Sequence, residues 1–203
     1  MSLQDAFIDE VRDAYDAERQ LMKALPKMAK AASSASLKSA FEAHLRETKG
    51  QVTLLERAFA SLGEKVRGKH CDGIAGIIEE GKSVMEEDFD DATMDACLIA
   101  AGQRAEHYEM AAYGSLIAWA KALGHGEAAG LLEKILEQEK GADATLSQIA
   151  ESGINRRAAE APPEDEEKSK RRPGTRKRAA GKKASRKKAA KKSGARKASR
   201  TKK

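Results

Sequence analysis

Proline is scarce in this chain, and the scarcity is uneven: of four prolines, only Pro26 falls before Pro162. Aromatic residues make up 4% of the chain, and there are two cysteines. β-branched residues are sparse before Pro162, where Ala, Leu, Glu and Lys dominate. This composition argues against a sheet-rich fold and favours helices. Cys71 and Cys97 make no metal-type spacing, and two lone cysteines fit the reduced thiols of a cytoplasm better than a disulfide scaffold. No apolar run approaches the ~20 residues that span a bilayer. The start, Met1 to Asp5, has neither the basic nor the apolar part of a signal peptide, so a cytoplasmic location is expected.

Acidic residues are missing altogether from Lys168 to Lys203, a stretch of 36 residues with 19 Lys or Arg. It also lacks Val, Ile, Leu, Met and every aromatic. Such a segment has too little apolar surface to offset chain entropy and is expected to be disordered. With 19 basic against 28 acidic side chains, residues 1–160 carry −9. With 19 against four, residues 161–203 carry +15. The overall +6 therefore conceals an acidic body and a basic arm. Three parts are expected: a helical domain over 1–155, an acidic, Pro-containing linker over 156–167, and the tail over 168–203.

Periodicity in the body predicts four long helices over about 3–32, 36–62, 91–123 and 126–151. A shorter one is expected at about 74–87, within the connection between the second and third long helices. Pro26 should kink or break the first helix. The serine-rich run from Ser33 to Ser36 holds a turn, and Gly63, Gly124 and Gly153 mark helix ends. Two long helices, a long crossover and two more long helices is the order of a ferritin-like four-helix bundle.

Glutamates occur where inner faces should be apolar. The first helix reads Phe7, Val11, Ala14, Glu18, Leu21, Leu25, Met28 at alternating three- and four-residue steps. The second reads Leu37, Ala40, His44, Glu47, Gln51, Leu54, Ala58. The third long helix reads Ile99, Gly102, Glu106, Glu109, Tyr113, Leu116, Ala120, and the last reads Ala128, Leu132, Ile135, Glu139, Ala142, Leu146, Ile149. An inward carboxylate costs several kcal/mol unless paired, protonated or bound to a cation. One on each of four helices points to a shared site.

Such an oxygen-rich set suits iron and manganese, and also magnesium or calcium. Di-iron bundles add Glu-x-x-His on two helices, but here Gly50 and Ala142 stand where those histidines would be. Gln51 and Asp143, each four residues after its Glu, are substitutes, as are Glu109 and His44. The candidate ligands of a di-metal site are thus Glu18, Glu47, Glu106, Glu109, Glu139 and Asp143, with His44 and Gln51 as further members. The competing reading pairs the glutamates internally, with Lys49, Lys140, Tyr15, Tyr108 or Tyr113 as partners.

The strings Asp16 to Ser33, His44 to Val52 and Glu137 to Asp143 resemble the YciE/YciF group of ferritin-like bacterial proteins. The likeness spans roughly 1–155, including Pro26. It implies a ferritin-like bundle with an extra short helix, a homodimer and a role in bacterial stress responses. It also implies that Glu18, Glu47, Glu106 and Glu139 occupy ferritin-type carboxylate positions.

The tail resembles that of a linker histone. Its basic residues recur in short clusters: Lys182, Lys183, Arg186, Lys187, Lys188, Lys191, Lys192, Arg196 and Lys197. A flexible polycation releases condensed counterions from nucleic acid, which gives salt-sensitive, sequence-independent binding to DNA or RNA. Without aromatics it has no stacking platform. A solubility arm, an anionic membrane surface or contact with the acidic body are the other readings. Joined together, the halves describe a metal-binding stress protein held on the nucleoid. The alternative is a non-enzymatic dimeric module with no metal.

Overall fold

The computed structural model describes residues 1–161. Their elements are α1 (Leu3–Ala31), α2 (Ala35–Ser61), α3 (Asp72–Glu86), α4 (Asp91–Ala122), α5 (Gly126–Ile149), a π-helical turn (Ala150–Ile154) and α6 (Asn155–Glu160). Among the described residues there is no strand. The tail and the acidic linker segment from Pro162 onward lie outside them.

Local chemistry explains the boundaries. Ser2 and Asp5 form a reciprocal capping box at the start of α1. Ser34 caps α2, the Cys71 thiol caps α3, and Asp90 accepts from the backbone N–H groups of Ala92 and Thr93 at the start of α4. Gly63 (φ 69°) and Gly124 (φ 80°) turn the chain after α2 and α4 in the left-handed conformation that glycine adopts without penalty. The α1–α2 turn is pinned by the buried Asp95 of α4, whose carboxylate accepts from the backbone N–H groups of Ser33 and Ser34, each at 2.8 Å.

One expectation needs correction. α1 is continuous through Pro26, which lies on its exposed side, so no break occurs there. Gly153, with φ 134°, breaks the helical backbone near the expected end of the last long helix, and the chain continues beyond it into the short α6.

α1 and α2 form one hairpin and α4 and α5 the other. α2 also packs beside α5, and α1 beside α4, while α3 lies against α1 and α4. This is the ferritin-like four-helix bundle with an extra helix in its crossover. The core is split along its length. One apolar cluster contains Phe7, Val11, Leu55, Phe59, Leu116 and Leu132. The other contains Leu21, Leu25, Leu37, Phe41, Leu98 and Leu146. The stretch of each long helix between its contributions to the two clusters carries buried polar groups: Glu18, then His44, Thr48 and Gln51, then Glu106 and Glu109, then Glu139.

Candidate metal centre

Each helix supplies its part of this layer by its own spacing. On α4, Glu106 and Glu109 are three residues apart and share a face, with Tyr113 one turn further. α1 contributes Glu18 and α5 contributes Glu139. α2 contributes His44, Thr48 and Gln51. All four glutamates are 0–3% exposed.

One donor atom from each of His44, Glu106, Glu109 and Glu139 lies within 4.8 Å of the others. The His44 Nε2 atom is 3.3 Å from Glu106 Oε1 and 3.7 Å from Glu139 Oε2. Tyr113 Oη donates to Glu18 Oε1, and Gln51 Nε2 donates to Glu139 Oε1. These bonds leave much of the layer without partners. Both oxygens of Glu109 lack a hydrogen bond, as do Glu18 Oε2, Glu106 Oε2 and Glu139 Oε2. Native proteins rarely leave buried polar atoms unpaired. Five such carboxylate oxygens within one layer have the chemistry of a cation site, and the donor set fits a divalent metal: oxygen-rich, with one imidazole nitrogen.

The electrostatics agree. Burial, reinforced by the Glu139 charge, pushes Glu18 up from 4.5 to about 8. Burial also raises Glu106 to about 8. Glu139 rises to about 9, through burial and then the adjoining Glu106 carboxyl. Glu109 is held well above the ordinary carboxylate range by burial and by Glu18 and Glu139. For His44, burial acts downward, but the facing Glu47 carboxylate and the charges of Glu139 and Glu18 outweigh it and raise its pKa. A buried cation is the natural counter-charge for such a group of acids.

Sequence-predicted members divide accordingly. Glu18, Glu106, Glu109, Glu139, His44 and Gln51 are brought into one layer. Glu47 is not: its side chain is 46% exposed, with Oε2 3.5 Å from His44 Nδ1. The buried face of α2 shares Leu37, His44, Gln51 and Ala58 with the expected line but takes Phe41, Thr48 and Leu55 in place of Ala40, Glu47 and Leu54. Asp143 also lies outside the cluster, where it accepts from Gln103 Nε2 at 3.0 Å and faces His107 Nε2 at 3.3 Å. Thr48 was missed, and its hydroxyl bonds to the His44 carbonyl within α2. Of the partners named for internal pairing, only Tyr113 reaches a layer glutamate. Tyr15 bonds Glu56, Tyr108 contacts Cys71, and Lys140 pairs with Glu137. Among the described residues, no lysine or arginine forms an ion pair with the four buried acids.

Residues 2–159 match the profile of a family described as a domain of unknown function, DUF892. The chain belongs to the DUF892 family. Protein YciF of Escherichia coli K12 is 41% identical over 158 residues, covering 77% of this chain and 95% of that protein. The crystal structure of the E. coli stress protein YciF superposes with a TM-score of 0.73 at 41% identity, covering 76% of this chain and 98% of that one. A structure described as YcfI, a putative structural protein from Rhodopseudomonas palustris, gives 0.71 at 39% identity, covering 72% and 94%. The DUF892 match ends before the basic tail, and the YciF match covers nearly the whole length of that protein. Among the described residues, no helix of this DUF892 chain is long and apolar enough to cross a membrane.

Proposed function

We propose that this DUF892 chain binds iron or manganese through His44, Glu106, Glu109 and Glu139, with Glu18 as an adjoining ligand. The observation carrying this reading is the set of five buried, unpartnered carboxylate oxygens in one layer. Bound iron or manganese would supply one-electron chemistry, with peroxide as its natural reactant. The chain's own contributions are to hold the ion, exclude bulk water and retain protons. Gln51 orients Glu139, and Tyr113 orients Glu18. The likeness to a stress protein supports a role in stress responses. The tail adds non-specific DNA binding, in the cytoplasm and on the nucleoid, and a homodimer would present two such arms. Iron and peroxide together damage DNA, which gives chemical sense to keeping a metal-binding body there.

The second reading keeps the bundle and the arm but has no metal, with the glutamates protonated and paired inside. The Gln51–Glu139 and Tyr113–Glu18 bonds favour it, whereas the unpartnered Glu109 opposes it. Elemental analysis of protein purified without a metal-binding tag separates the two. Under the metal reading, iron or manganese is present stoichiometrically, raises the melting temperature, and is lost in the Glu18→Ala/Glu106→Ala double variant. Absence of metal, with no shift in melting on adding either ion, rejects it.

For the arm, deletion of 168–203 should abolish retention on DNA at low salt. The intact chain should lose affinity by about 10³-fold or more between about 50 and 200 mM salt. Unchanged retention without the tail would reject DNA tethering by it.

A further inference from the structure

The buried layer is reached from two opposite faces of the bundle, and the two openings differ. Between α2 and α5 lies a cavity of about 230 Å³, with Ala40, Ala43, Gly141 and Ala142 on its walls. His44 and Glu106 also line it. Both are buried; Glu106 Oε2 has no hydrogen-bond partner, and His44 Nδ1 faces Glu47 Oε2 at 3.5 Å. Glu47 completes the lining at the exposed edge. Between α1 and α4 the opening is about 10 Å³, lined by Glu10, Asp13, Tyr108 and Glu109. That is room for one water molecule at most. A larger groove of about 400 Å³, containing Leu21, Met28, Ile78 and Met85, reaches none of the layer's carboxylates.

We infer that the α2–α5 cavity is the port through which a divalent cation reaches the layer, and that Glu47 is its transit ligand. The inference rests on the metal reading above. A hydrated cation sheds its water stepwise, and a carboxylate at the mouth offers replacement oxygens before the ion reaches the dry interior. Glu47 is placed for this: it is half in solvent, with Oε2 3.5 Å from the histidine whose other ring nitrogen faces Glu106 and Glu139. An acidic mouth also raises the local cation concentration and speeds association. Phe41 and Leu146 also line the passage, and the small residues beside them leave it open, since larger side chains at Ala43, Gly141 or Ala142 would occupy it. This assigns a role to an acid that belongs to the layer's surroundings without being buried in it.

A group on the path acts differently from a ligand at its end. It changes loading and release by the same factor and leaves the affinity unchanged. Co2+ is a suitable probe, since oxygen and imidazole donors bind it and its visible absorption reports the ligand field. The full-length, metal-free chain would be mixed with Co2+ in a stopped-flow instrument, and release followed with excess chelator. Glu47→Gln should slow loading and release about tenfold, the lower range of electrostatic acceleration, with Kd unchanged. Gly141→Leu should slow both as well. A Cβ at Gly141 meets no atom within 4 Å, so the added side chain reaches the port without a backbone clash. Should Gly141→Leu lose its helical circular dichroism, Glu47→Gln carries the test alone. A wild-type chain that takes up no Co2+ overturns the metal reading itself. A wild-type chain that loads, beside variants that load equally fast, overturns only the port. Loss of affinity through release alone would make Glu47 a resident ligand and also overturn the transit role.

Discussion

Glu109→Met makes the metal-free protein more stable and deprives it of tight metal binding. The two effects have one cause. Both Glu109 oxygens are buried without a partner. Burial and the neighbouring Glu18 and Glu139 drive its carboxyl towards the neutral acid. A side chain of similar length with no polar oxygens removes that penalty, and replacements of buried charged groups by well-packed apolar ones gain about 1–4 kcal/mol in favourable cases. In a body of this size, each kcal/mol moves Tm by about 2–4 °C. The gain should grow as pH rises from about 5, because the unfolded carboxyl ionises while burial holds the folded one neutral. Urea unfolding in chelator measures the first effect, and equilibrium titration with Mn2+ measures the second. A destabilised variant would mean that Glu109 is held by interactions absent from this structure. A stabilised variant that still binds Mn2+ tightly would remove Glu109 from the ligand set.

Metal-free protein should also lose stability steadily between about pH 5 and pH 9, opposite to the usual acid sensitivity of proteins. In the folded state Glu18 and Glu106 release their protons near 8 and Glu139 near 9, against 4.5 for the ordinary group. The folded chain therefore holds more protons than the unfolded chain throughout that window, so the stability falls as pH rises. This contribution is complete below about pH 4.5, the ordinary glutamate value, and lost once pH passes the folded values. The raised His44 acts in the same direction. Asp16 and Glu47, both lowered, act oppositely, and theirs is the stability lost on acidification below the window. Because the layer acids interact, their effects do not add simply, and the fall should amount to several kcal/mol in all. A cation in the layer displaces these protons, so added Mn2+ should flatten or reverse the slope, and metal affinity should rise with pH. Urea midpoints at pH 5, 7 and 9, with chelator and with Mn2+, test both halves. A flat profile in chelator would mean that the layer keeps ordinary carboxylates.

Several helix boundaries were legible because their signals are local: the serine run that contains Ser34, Gly63 and Gly124 each act within a few residues of a terminus. The faces of α1, α4 and α5 were legible too, since large apolar residues flank the glutamates on one line. α2 misled because two adjacent lines along it both look inward. One passes through Ala40, Glu47 and Leu54, and the other through Phe41, Thr48 and Leu55. Phe41 was the available signal: a large aromatic on a helix with few of them outweighs an alanine in choosing the buried side. Asp143 failed for a different reason. Four residues after Glu139 it could face the layer or the flank of α5, and Gln103 and His107 on α4, which hold it on the flank, are distant in sequence. The distinction between a buried Glu109 and an exposed Glu47 likewise depends on how four helices rotate against one another, which no single helix specifies.

The division of the core into two apolar clusters has a further consequence, for alignment. A bundle with uniformly apolar seams could let one helix slide along its neighbours by a turn, about 5.4 Å, with little change in what it buries. Here such a slip of α4 would carry Glu106 and Glu109 out of the layer and towards the level of Leu21 and Phe41 in one direction, or of Val11 and Leu55 in the other. Carboxyl groups would then lie against hydrocarbon while the other helices kept theirs in place. Buried polar positions are known to set register in coiled coils at a cost in stability. The acids that make the centre of this bundle costly also leave its helices one favourable alignment.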